Sequence, residues 1–152
     1  MQVSVRPAVP GDIFRIADFQ VRMAAESEGV ELDLGIVSDG VRAVFLDPFK
    51  GTYWVAEVDG NVVGVLLTTP EWSDWRNGYV LWLQSVYVEP QFRRHGVFSA
   101  LYDQVRAEVE EADDLLGIRL YADQRNTPAH AAYEGVGMAR DHYFMYEWMK
   151  GR

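Results

Sequence analysis

Three extended segments follow one another between Thr52 and Val88, and they constrain the fold more than anything else in the chain. Thr52 to Val58 and Val62 to Thr69 are rich in β-branched and aromatic residues and are joined by Asp59-Gly60-Asn61. Gly and Asn tolerate the positive φ that a tight turn demands, so these two segments predict a hairpin. A polar, tryptophan-bearing loop follows (Glu71 to Gly78). Tyr79 to Val88 then reads as a long apolar strand with Gln84 and Ser85 as its polar members, ended by Pro90.

The flanking sequence is helical in period. Val3 to Arg6 predicts a short first strand, closed by Pro7 and the turn-forming Pro10-Gly11. Asp12 is the expected N-cap of a helix carrying Ile13, Ile16, Ala17 and Ala24. After a Gly- and acid-rich stretch from Glu26 to Gly35, a second helix is expected from Ser38 as cap through Val41, Val44 and Phe45, stopping before Pro48. Val97, Leu101, Val105, Val109 and Ala112 then fall on one helical face. Gly117 to Ala122 predicts a short strand. Thr127-Pro128 opens another helix with Ala129, Ala132 and Tyr133, and Gly135 and Gly137 supply stop residues. His142 to Met149 predicts a final strand. The resulting order, β-α-α-β-β-β-α-β-α-β, predicts an α/β (α+β) class: a mixed, mostly antiparallel central sheet of six to seven strands flanked by helices on both faces. With 152 residues and no repeat or linker, one domain over 1–152 is expected.

Charge and cysteine usage narrow the function. Asp and Glu total 23 against 14 Lys and Arg, a net charge of −9, which excludes a general nucleic-acid binder but allows a local basic pocket for one small anion. There is no cysteine, hence no disulfide framework, thiol nucleophile or thiolate metal site, and a reducing, cytoplasmic setting is expected. No apolar run is long enough to span a membrane. His95, His130 and His142 lie far apart with no metal-ligand spacing, so no metal is expected.

The segment Val86-Tyr87-Val88-Glu89-Pro90-Gln91-Phe92-Arg93-Arg94-His95-Gly96-Val97 carries the chemistry. A strand ends, a basic turn with Gly follows, and a helix begins at once. Such a junction aims free backbone N–H groups and a helix dipole at one point, where Arg93, Arg94 and His95 add positive charge and Gly96 admits close approach. It reads either as a phosphate site made mostly of main chain or as a solvated basic turn. It lacks the Gly-Lys-Ser/Thr of a Walker loop and the three glycines of a dinucleotide fingerprint.

A second segment, Asn126-Thr127-Pro128-Ala129 through Tyr133 to Gly137-Met138, also follows a strand. Together, and in this element order, the two segments resemble the GCN5-related N-acetyltransferase (GNAT) family from Val3 to Met149. The resemblance implies transfer of an acetyl group from acetyl-CoA (coenzyme A as carrier) to a primary amine of a small molecule or peptide by direct attack. It implies that Val86, Tyr87 and Val88 offer backbone groups to the cofactor's pantetheine arm and thioester carbonyl. The turn Arg93, Arg94, His95, Gly96, Val97, Phe98 and Ser99 would wrap its pyrophosphate. Asn126, Ala129 and Tyr133 would lie along the cofactor, with Tyr133 beside its sulfur. Homodimers occur in the resembled family, and an apolar final strand could pair. The family turn usually ends in a small residue where this chain has Phe98, so that ring is expected to turn away from the phosphates.

Attack on a thioester needs a neutral amine, a stabilised oxyanion and a proton for the thiolate. An alkyl amine has a reference pKa near ~10.4, so about one molecule in 10³ is neutral at pH 7. A strand N–H around Tyr87 or Val88, freed by a splay or bulge, is the expected oxyanion donor. Tyr133 is the expected general acid, with a core aromatic as its other reading. Gln84 can orient water or substrate but cannot take a proton. Glu71 and Asp74 are alternatives for the base. Glu26, Glu28 and Glu31 are others, and as a cluster they would favour a cationic acceptor or be a solvated acidic loop. Trp72, Trp75 and Trp82 could line the acceptor pocket or fill core. Two other classes remain: an acyl-CoA sensor of the same fold without turnover, favoured by Phe98 and Gln84, and a plain protein-interaction domain.

Overall fold

The computed structural model describes residues 1–151, which form two compact units, one spanning Met1–Tyr121 and the other the chain from Ala122 onward. The first unit is a five-stranded sheet in the order β1-β2-β3-β4-β5, with β1 at Ser4–Pro7, β2 at Thr52–Val58, β3 at Asn61–Ser73, β4 at Gly78–Val88 and β5 at Leu115–Arg119. The first four strands pair antiparallel, and β5 joins β4 in parallel. The helices are α1 (Ile13–Glu28), α2 (Leu34–Leu46), α3 (Val97–Glu111) and α4 (Thr127–Gly135).

The predicted hairpin forms between β2 and β3. Asp59 and Gly60 both adopt positive φ, 52° and 79°, the two-residue turn whose twist matches the strands it joins. Alternation then distributes the sheet's side chains. Tyr53, Val55, Val65, Leu67 and Tyr87 pack with Ile16, Ala17 and Phe19 of α1 and Val41 of α2. Gly64 looks to the other face, where an added Cβ would stand 2.9 Å from Val97 and 3.5 Å from Leu101 of α3. Helices therefore cover both faces, as expected, and the missing side chain at Gly64 sets how closely the start of α3 approaches β3. Ile16, Phe19, Val55, Val65, Leu66 and Leu101 are fully buried, each contributing about 1.5–3 kcal/mol of apolar burial.

Several expectations change. The sheet has five strands among the described residues rather than six to seven. His142 to Met149 is irregular rather than a strand, and Tyr143, Tyr146 and Trp148 there are exposed. A segment of high β propensity becomes a strand only where an edge accepts its hydrogen bonds, and propensity does not supply that edge. The second helix starts earlier, because Asp33 rather than Ser38 caps it by accepting from the Ile36 amide at 3.1 Å. Glu26 and Glu28 consequently lie in the last turn of α1, which Gly29 ends in the left-handed conformation, and only Glu31 is in the connecting loop. Glu71 to Ser73 continue β3 instead of forming loop, and β5 runs over Leu115–Arg119 rather than to Ala122. Asp12 precedes α1 but does not cap it: its carboxylate accepts from Arg6 at 2.8 and 3.1 Å and from the Val9 amide at 2.8 Å. The Arg6 bond holds this carboxyl below its ordinary range.

Candidate functional site

β4 and β5 run together only from Tyr79↔Leu115 to Trp82↔Arg119, after which β4 continues alone to Val88. Just past that point the β3–β4 register slips between Val65 and Leu67, and Ser85 takes φ 53°. This is a bulge, which bends β4 away from its neighbour. Beyond it Tyr87 pairs with Val65, and the Glu89 amide donates to the Val63 carbonyl at 2.9 Å. In an antiparallel ladder successive residues turn their backbone groups to opposite edges. Val86 and Val88 therefore direct theirs toward the side left open by β5. A bulge is present where one was expected, and the alternation turns the Val86 and Val88 backbone groups, rather than those of Tyr87, to the edge that β5 does not pair.

The same strand runs into the basic turn. Pro90–Phe92 make one tight helical turn, Arg94 takes φ 65°, and Gly96 takes φ 79° as the residue before α3. The residue before α3 is a glycine and offers no side-chain cap, so the helix begins with its first-turn N–H groups directed back along the turn. An added Cβ at Gly96 would meet nothing within 4 Å, so the turn is not crowded at that residue. The Phe98 ring lies beside that of Tyr102 one turn along, 6.1 Å between centroids, as the bulk at that position requires. These features fit a diphosphate.

The basic residues divide their work. Arg93, though exposed, folds back on β4 and α1: its Nε donates to the Val88 carbonyl at 2.8 Å, its Nη2 pairs with Glu26 at 3.0 Å, and its guanidinium lies 5.4 Å from the Tyr87 ring. Tyr87 in turn donates its hydroxyl to Glu26 at 2.8 Å. Desolvation works to raise the Glu26 carboxyl, but the bonds from Arg93 and Tyr87 outweigh it and hold the group low, which makes it a tether and a poor base. Arg94 and His95 are exposed.

Glu89 has a larger structural part than its place in the motif suggests. Its buried carboxylate accepts from Arg15, from Arg22 at 3.3 Å and from Gln91 at 2.9 Å. Arg15 also donates to the Val62 carbonyl at 3.1 Å, and both arginines flank the Phe19 ring. The end of β4 is thereby pinned to α1. Nothing local in the sequence announces these partners, which lie 67 and 74 positions away.

A polar cluster occupies the sheet face that carries α1 and α2. Glu71 Oε1 accepts from the Trp82 indole at 2.9 Å and from Arg119 at 3.2 Å. Gln84 donates to the Thr69 hydroxyl at 2.7 Å, and the Trp82 ring lies 6.3 Å from that of Tyr121. The expected residues Glu71, Trp82 and Gln84 are thus brought together at the fork, joined by Arg119, Thr69 and Tyr121, which the sequence reading did not single out. Trp72 packs edge-on against Tyr79 at 5.1 Å, and Asp74 and Trp75 lie exposed at the tip of the β3–β4 hairpin. Glu28 and Glu31 are also exposed.

In the second unit Asn126 caps α4, its side-chain oxygen accepting from the Ala129 amide at 3.3 Å. Tyr133 lies on that helix, and burial pushes its phenol above the ordinary value.

Comparison with known proteins converges on this geometry. The family described as "Acetyltransferase (GNAT) family" matches residues 20–138. A possible acetyltransferase from Clostridium difficile 630 is 40% identical over 98% of both chains, with a TM-score of 0.89. A predicted acetyltransferase from Clostridium acetobutylicum, solved with acetyl-CoA, shares the fold at 18% identity over 96% of each chain and a TM-score of 0.76. An N-alpha-acetyltransferase of Sulfurisphaera tokodaii is 29% identical over 101 residues, 60% of this chain and 59% of that protein, so the chain spans about three fifths of this curated relative. Residues 20–138 contain the β4 bulge, the opening beside β5, the basic turn and α4 together, and on that match the chain belongs to the GNAT family of acetyltransferases.

Proposed function

We propose that this protein transfers an acetyl group from acetyl-CoA to a primary amine of a small molecule or peptide by direct attack. One observation carries the reading: β4 loses its β5 partner just before the bulge at Ser85, and the freed edge leads straight to the uncapped start of α3. When bound, acetyl-CoA supplies an activated acyl carbon and a thiolate leaving group. The first-turn amides of α3, with Arg94 beside them, hold the diphosphate. The Val88 or Val86 amide donates to the carbonyl oxygen as it gains negative charge. The acceptor arrives as an ammonium, loses one proton to the Glu71 side or to water, and forms the new C–N bond as the C–S bond breaks. Its second proton balances the one that Tyr133 gives to the departing sulfur. An ordinary phenol, near ~10, is already a weaker acid than a thiol near ~8.5, and burial raises Tyr133 further, so Tyr133 works by placement and not by acidity.

The test is thiol release from acetyl-CoA across an amine panel. Amine-dependent release supports transfer, and saturable acetyl-CoA binding without it supports the sensor reading. Gln84 is the observation on the sensor's side, since it bonds to Thr69 and cannot act as a base. Tyr133→Phe is expected to lower kcat at least about a hundredfold, the low end for loss of a general acid, with acetyl-CoA affinity nearly intact. Weaker binding at unchanged kcat would remove Tyr133 from that role. Arg94→Glu is expected to weaken acetyl-CoA binding most at low ionic strength, because an exposed charge pair is screened as salt rises. Equal affinity of both proteins across a salt series would show that this arginine does not face the phosphates.

A further inference from the structure

We propose that Arg119 is an acceptor-binding residue and that the acceptor is a free α-amino acid with an apolar side chain. This rests on the acetyltransferase reading above and narrows it. Trp82↔Arg119 is the last β4–β5 pair before the strands part, so both side chains stand at the mouth of the opening through which an acceptor must reach the freed edge. Arg119 is half-exposed there and holds Glu71 through a single Nη1 bond at 3.2 Å, onto the same oxygen that already accepts from Trp82. A guanidinium has five N–H donors, and a carboxylate accepts at both of its oxygens, so the pair can bind a further charge of each sign.

Charge selects among acceptors. Diffuse attraction by a chain of net charge −9 favours any cation, but a simple alkyl ammonium approaching Glu71 also meets Arg119 at close range. An α-amino acid resolves the conflict: its nitrogen turns to Glu71, and its carboxylate takes the planar fork of Arg119. The Trp82 and Tyr121 rings beside this pair offer contact area for an apolar side chain.

The experiment compares leucine and phenylalanine with isoamylamine, phenethylamine and leucine amide as acceptors in acetyl-CoA thiol release. Alongside it, calorimetric titration of the same compounds into the protein with coenzyme A present reads binding without turnover. The amino acids are expected to exceed the compounds lacking the carboxylate by at least about tenfold in kcat/KM and in affinity, equivalent to about 1.4 kcal/mol. Arg119→Gln is expected to bring that ratio toward one, and Arg119→Lys to restore part of it, with melting temperatures confirming that both variants fold. Thiol release with the plain amines at equal or higher efficiency would overturn the proposal while leaving acetyl transfer standing. A ratio unchanged in Arg119→Gln would also overturn it. Thiol release with no acceptor, despite coenzyme A binding, would remove both.

Discussion

Gly96→Val is expected to weaken acetyl-CoA binding at least about tenfold while leaving a folded protein. Gly96 holds φ 79°, a conformation that costs an L-residue roughly 1–2 kcal/mol and that a β-branched side chain tolerates worst. Nothing lies within 4 Å of the position a Cβ would take, so the effect is conformational rather than a clash. The backbone relieves the strain by rotating out of the left-handed region, which re-aims the amides at the first turn of α3. Gly96→Ala has the same direction and a smaller size. Calorimetric titration with acetyl-CoA, beside thermal unfolding of the free protein, separates loss of the binding turn from loss of the fold. Unaltered affinity at a lowered melting temperature would show that these amides do not hold the ligand.

Glu89→Gln is expected to cost about 2–3 kcal/mol of stability. Removing one member of a buried ion pair typically costs about 3–5 kcal/mol, and the figure is discounted here because the Arg15 and Arg22 side chains are 41% and 38% exposed and water compensates them in part. The carboxylate itself is 7% exposed and is the common acceptor for both guanidiniums, so the amide takes away the ion-pair partner of Arg15 and leaves Arg22 with Asp18, 3.4 Å away. The midpoint of urea unfolding at constant m-value measures the loss. A change below about 0.5 kcal/mol would class the network with ordinary solvated bridges. Because Glu89 lies between Val88 and Pro90, the variant should also lower acetyl-CoA affinity by loosening the end of β4.

Local signals were read where they are self-contained. The β2–β3 hairpin, the period of α3 and the Thr127-Pro128 start of α4 each depend on a few adjacent residues and formed as expected, although the positive φ falls on Asp59 and Gly60 and Asn61 opens β3. The start of α2 was misplaced because Ser38 and Asp33 both suit a cap, and Asp33 gains an extra turn of helix. The irregular course of His142 to Met149 shows the limit of propensity, which describes a strand's surface but not the edge that receives it.

At the site the division is similar. The strand–turn–helix junction was legible because its residues are contiguous, and so was the need for a splayed strand. The work of the individual side chains was not. The bond between Arg93 and Glu26 exists only because α1 brings Glu26 to the turn, and Glu71 meets Arg119 only because β5 brings it to the fork.

By itself the sequence determined the order of elements as far as α4, the hairpin and the strand–turn–helix junction, since short-range sterics and periodicity decide these within a few residues. Tertiary structure alone decided where β5 leaves β4, which arginine pairs with α1, and which charges meet at the opening. Those outcomes depend on pairings between residues dozens of positions apart, and their energies arise only once the sheet and helices have brought them into contact.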